Sequence, residues 1–205
     1  MWRLFFAWAL LAGPAAAQGQ QLRRPLGETA DSFARRNKPA LAATLTGRVL
    51  ETTAWDGRTR VIIAFYAAKH VERVDGQLQP EPCVEGYIFV PTLAAGYRRL
   101  FLDRYEQEGA DASIASVFFA NADHDPAREL VVLCQWPQRH YQVAGTLYQA
   151  RFYDNPAAAA TRLAPLTALD KLLTSEFDGT NEEGKHTAKY QSAAAIRQKL
   201  KQLGY

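Results

Sequence analysis

The chain has 205 residues, with 24 Lys and Arg against 21 Asp and Glu, a formal charge of +3, and two cysteines. So small an excess of basic charge gives no electrostatic reason for nucleic-acid binding, and the basic residues are scattered as on a solvated face. The length suits one domain able to bury a substantial core without staples.

The first residues, Met1 to Gln18, place Arg3 before an apolar run that ends in Ala15-x-Ala17. This is the layout of a cleavable secretory signal. We read residues 1–17 as a signal peptide and 18–205 as one secreted or periplasmic domain. The apolar run is about 10 residues, too short to cross a hydrocarbon core of about 30 Å, and no later run reaches about 18 residues.

A short helix is predicted around Glu28–Arg36, capped by Thr29 and carrying Arg35 and Arg36 at its C-terminal end. Thr44–Thr52 reads as a strand. Asp56-Gly57 signals a turn before a returning strand, Arg60–Tyr66, whose unbroken apolar character implies burial on both faces. Lys69–Pro82 is a polar excursion with a possible hairpin at Asp75-Gly76. Tyr87–Val90 reads as a short strand stopped by Pro91, and Tyr97–Tyr105 as another, followed by a turn over Glu106–Asp111.

Ser113–Ala120 and Leu130–Cys134 are apolar strands flanking an acidic loop. Trp136–Tyr141 reads as an aromatic loop and Gly145–Tyr153 as a strand. Thr167–Thr174 has leucines at helical spacing behind Thr167. Phe177–His186 is Gly-rich and acidic and reads as a loop. Ser192–Leu203 has the clearest helical stripe, between a Ser192 cap and a terminating Gly204. Helices at both ends with strands between imply an α+β fold, one domain with a mainly antiparallel sheet. The acidic-loop strands are expected to be the central unit of that sheet.

The acidic loop is the one place where oxygen-bearing side chains recur with a chemical spacing: Asn121, Asp123, Asp125, then Glu129. Calcium takes six to eight oxygen ligands, and a short loop supplies them by alternation. Asn121, Asp123, Asp125, the carbonyl of Ala127 and Glu129 would be the metal ligands. The alternative is a solvated connection held by Asx turns, in which Pro126 fixes the bend. These residues resemble the Asp-x-Asp-x-Asp-Gly-x-x-Asp/Glu calcium loops of FG-GAP/VCBS-type repeat proteins. The match covers one loop and its strands, and departs from the family at Asn121 and at Pro126, which replaces Gly. The resemblance implies a calcium-stabilised strand–loop–strand unit. Beyond the loop, the chain resembles uncharacterised secreted bacterial proteins, a likeness that implies no activity. VCBS-like periplasmic proteins that inhibit enzymes or confer immunity make an inhibitory role an expectation by analogy of fold.

Gly-x-Ser-x-Gly, His-Glu-x-x-His, a phosphate loop and a dinucleotide fingerprint are all missing from the sequence. His124 lies between two carboxylates, a position for a raised-pKa acid or for an ordinary surface histidine. Trp136, Arg139, His140 and Tyr141 are of the types that dominate interface hot spots, and form a candidate surface for a protein or cell-envelope partner beside the acidic loop; the alternative is that Trp136 and Tyr141 cover the core. In an oxidising compartment Cys83 and Cys134 could pair in a disulfide; otherwise they pack as two buried thiols. These residues point to a non-catalytic binding or inhibitory module. The alternative is a secreted hydrolase whose site cannot be assembled from the sequence.

Overall fold

The computed structural model describes residues 22–41, 43–74, 76–123, 125, 127–156 and 160–205. The signal-peptide segment, His124 and Pro126 lie outside these. Two antiparallel sheets, each drawn from one contiguous stretch of chain, stack face to face. The first has the order β1 (Thr44–Thr52), β2 (Val61–Val74), β3 (Gln77–Pro91), β4 (Tyr97–Tyr105). The second has the order β5 (Ser113–Ala120), β6 (Glu129–His140), β7 (Val143–Tyr153), β8 (Glu176–Asn181), β9 (Gly184–His186). Helix α1 (Ala30–Arg36) covers the outer face of the first sheet. Helices α2 (Thr167–Leu172) and α3 (Ala193–Leu203) cover the outer face of the second. The α+β reading holds, with the strands divided between two sheets. Among the described residues no helix is long and apolar enough to cross a membrane.

Period-two alternation explains the continuous apolar runs. In β2, Ile62, Ala64 and Tyr66 face α1, while Ile63 and Phe65 face the second sheet. In β6, Val131 and Leu133 face the helices, while Leu130, Val132 and Cys134 face inward. Both central strands are therefore apolar on both faces. The caps follow the sequence closely. Thr29 accepts from the Ser32 N–H and Ser192 from the Ala195 N–H, and Gly204 ends α3 at φ 93°. Thr167 does not cap α2: it is the first helical residue, and Leu166 holds the cap position without a side-chain hydrogen bond.

Three polar segments outside the expected strands are strands, and the first carries the hairpin expected at Asp75-Gly76. Lys69–Pro82 belongs to the β2–β3 ribbon, which pairs as far as Val74 with Gln77 around Asp75-Gly76. β1 stops at Ala67 and β4 at Val84, so the ribbon projects with water on both faces. Residues 135–140 continue β6 against β7. Pro137 is tolerated because β5 stops at Gln135, leaving β6 one neighbour there. Glu176–His186 forms the β8–β9 hairpin. The acidic-loop hairpin is also not central: β5 is an edge of the second sheet.

Gly145 of β7 and Gly179 of β8 face each other across the ladder. A methyl at Gly145 would come 2.3 Å from the Asp178 carbonyl oxygen, 2.8 Å from the Gly179 Cα and 2.5 Å from the Phe177 ring. Two of these are backbone atoms, which cannot move without opening the ladder. Gly145→Ala is expected to lose about 1–3 kcal/mol of stability or more in urea unfolding. An unchanged midpoint would contradict the close β7–β8 approach.

Candidate cation site and its surroundings

The β5–β6 loop folds by its own side chains. Asp123 Oδ1 accepts from the Asp125 N–H at 2.9 Å, and Asp125 Oδ1 from the Ala127 N–H at 2.7 Å. These are the turns that give Asp and Asn their place in loops. Each uses one carboxylate oxygen and leaves the other. Glu129 closes the loop as the first residue of β6, where the ladder pairs it with Ala120. Its Oε2 accepts from the Ala122 N–H.

One carboxylate oxygen from each of Asp123, Asp125 and Glu129 lies within 4.8 Å of the others. Two oxygens on one calcium, each at about 2.3–2.6 Å, are at most about 5 Å apart. The trio is therefore an acidic cluster of a size that could hold a metal ion. Glu129 is fully buried, at 0% exposure, and its Oε1 has no hydrogen-bond partner among the described residues. A buried carboxylate oxygen without a donor is costly, and a cation is one way to satisfy it. Burial, then the charge of Asp123, pushes the Glu129 carboxyl above its ordinary range against the opposing pull of the Ala122 N–H.

Asn121 is exposed and lines a shallow pocket with Arg128 and Arg197. Ala127 borders a different cavity of about 300 Å³, shared with Trp55, Asp56, Asn155 and Pro156. Trp55 stacks edge-on against Phe119, and its Nε1 is buried without a partner among the described residues. Nothing in the sequence around Trp55 marked this neighbourhood.

The four residues expected to form a partner surface are divided by the structure. Trp136 is 3% exposed, and its Nε1 donates to the Glu106 carbonyl at 2.8 Å, tying down the segment after β4. Arg139, His140 and Tyr141 are exposed at the β6–β7 tip. They do not lie beside the acidic loop. β6 runs from Glu129 at one end to His140 at the other, which at about 3.3 Å per residue separates the two by roughly 36 Å. Near Glu106, His70 Nε2 sits 3.6 Å from the Glu106 carboxylate and 3.8 Å from that of Glu72.

The Cys83–Cys134 disulfide is not formed. Both are buried free thiols, Cys83 on β3 of the first sheet and Cys134 facing inward from β6 of the second. Burial raises the pKa of both. No protein-family model, no curated protein and no solved structure matches the chain.

Proposed function

We propose that the protein is a non-catalytic binding or inhibitory module, acting outside the cytoplasm on a protein or cell-envelope partner, whose β5–β6 loop takes calcium. The observation that carries the cation reading is the buried, unpartnered Oε1 of Glu129 within reach of Asp123 and Asp125. Three carboxylates offset a dication, and the Ala127 carbonyl and Asn121 are the further oxygens in the loop. A hard cation with flexible coordination suits this all-oxygen set better than zinc, which favours nitrogen and sulfur. In this reading the ion serves as a structural fastener, tying Glu129 at the start of β6 to the loop that follows β5. The residues offered to a partner include Arg139, His140 and Tyr141 at the far end of β6.

Calorimetric titration of the apo protein with calcium is expected to give saturable heat that Asp123→Ala abolishes. Circular dichroism would show whether that variant keeps its sheets. Absence of heat with the wild-type protein would reject the calcium reading.

A further inference from the structure

The two flanks of the sandwich are finished differently. On one, the gap between β4 and β7 is closed by the chain itself. The Phe101 N–H donates to the Thr161 carbonyl and the Leu163 N–H to the Phe101 carbonyl, both at 3.1 Å. On the other side of this segment the Asp154 N–H donates to the Ala164 carbonyl at 3.0 Å, and the Leu166 N–H to the Phe152 carbonyl at 2.8 Å. An extended strap thus pairs with both sheets and drops Leu163, 1% exposed, into the core between them. Leu22 pairs with Tyr97 on the same outer edge of β4.

On the opposite flank lie the edge strands β1 and β5, with a cavity of about 490 Å³ between them. That volume is in the range of about 300–1,000 Å³ typical of ligand clefts. Its apolar lining comes from Phe65, Leu50, Ile114 and Val117. Among the described residues, no loop or helix makes a backbone hydrogen bond to β1 between Thr46 and Leu50, or to β5 between Ser113 and Val117. Each strand carries a bulge at this place, between Thr46 and Leu50 and between Ile114 and Ser116. Bulges are frequent at sheet edges and next to sites, where they re-aim a side chain, here that of Arg48 in the cleft lining. Arg48, in the β1 bulge, is the one charged residue of the lining; it is exposed and has no ion pair among the described residues.

We propose that this cleft takes an extended peptide segment of a partner protein, added as a strand against β1 and β5. One apolar side chain would point to Phe65 and a carboxylate would lie at Arg48. The chain supplies its own precedent, since the strap does the same between β4 and β7 with Leu163 as the inserted residue. Strand addition takes affinity from main-chain hydrogen bonds and selectivity from pockets for alternate side chains. The charge at Arg48 makes the preferred segment acidic rather than basic. The inference rests on the binding-module reading and names its ligand class, but does not depend on the cation.

The test uses two fluorescein-labelled peptides, Thr-Val-Thr-Val-Asp-Val-Thr and the same sequence with Lys in place of Asp. Wild-type protein should bind the Asp peptide saturably in anisotropy titrations. Its amide shift changes in nuclear magnetic resonance should fall on β1 and β5. Arg48→Glu should weaken the Asp peptide by roughly three- to tenfold and reverse the preference between the two. Equal binding of both peptides, or shift changes away from β1 and β5, would overturn the proposal. So would self-association of the protein through β1 in place of peptide binding. A protein that gives calcium heat but binds neither peptide would lose this site and keep the loop.

Discussion

Glu129→Gln is expected to abolish the response of the protein to calcium while leaving the apo protein at least as stable near neutral pH. Glu129 is buried, one of its oxygens has no partner among the described residues, and its pKa is raised. A raised folded pKa means that the fold prefers the protonated acid. Its contribution is fully present below the unfolded value near 4.5 and is lost as pH rises through the folded value. Apo wild type should therefore lose stability relative to Glu129→Gln as pH rises through that window. Calcium requires the charged form, so saturating calcium should invert the trend and stabilise wild type as pH rises. At about 100-fold its dissociation constant the ion contributes about 2.7 kcal/mol, or about 5–11 °C in a domain of this size. Urea unfolding of both proteins from pH 4 to 7, with and without calcium, separates this group from the other carboxyls. A variant that answers calcium as wild type does would remove Glu129 from the site.

The second large effect belongs to the layer under α2 and α3. Phe152 of β7 is 0% exposed and packs with Val131, Leu169, Leu173, Ile196 and Leu200. Its backbone also anchors the region. The N–H donates to Asp170 Oδ1 at 3.2 Å, and the carbonyl accepts from Leu166. Asp170 in turn pairs with Arg151 at 3.2 Å. Phe152→Ala should cost about 3–5 kcal/mol, because the ring leaves a cavity that β6 on one side and the helices above cannot collapse into. The melting temperature should fall by roughly 6–20 °C, with helical dichroism lost before strand signal as α2 and α3 loosen. A fall of under about 1 kcal/mol would mean that the helices do not rely on this ring.

Much of the fold was legible because local chemistry and packing agreed. Thr29, Ser192 and Gly204 marked helix ends, and Tyr97–Tyr105 and Ser113–Ala120 match β4 and β5. The unbroken run Arg60–Tyr66 signalled a strand covered on both sides. What the sequence could not convey was partnership. Lys69–Pro82 has no period-two pattern because the β2–β3 ribbon projects beyond its neighbours and neither face is selected for burial. Residues 135–140 look like a loop because Pro137 and Arg139 are allowed where β6 has a single neighbour. The hairpin at Glu176–His186 is hidden by glycines, one of which is required by the Gly145–Gly179 approach. Alternation tells which residues share a face but not which sheet the face meets, so one sheet was expected where there are two. The site divides the same way. The spacing of Asp123, Asp125 and Glu129 was readable; the burial of Glu129 was not, because it depends on the layers around it. Trp136 was open to two readings, partner anchor or cover of the core, because an indole suits either place, and only its surroundings decide that it is buried.

Because each sheet is a contiguous stretch of chain, the molecule is made in two instalments. When residue 105 has been synthesised the first sheet is complete in sequence, and Ile63, Phe65, Ile88, Leu100 and Leu102 have nothing to pack against. Their cover arrives with β5, β6 and β7, which end at Tyr153. Until those strands arrive, the apolar face of the first sheet has no cover. The inner face of the first sheet is therefore a surface that the second half of the chain must reach before the fold is closed.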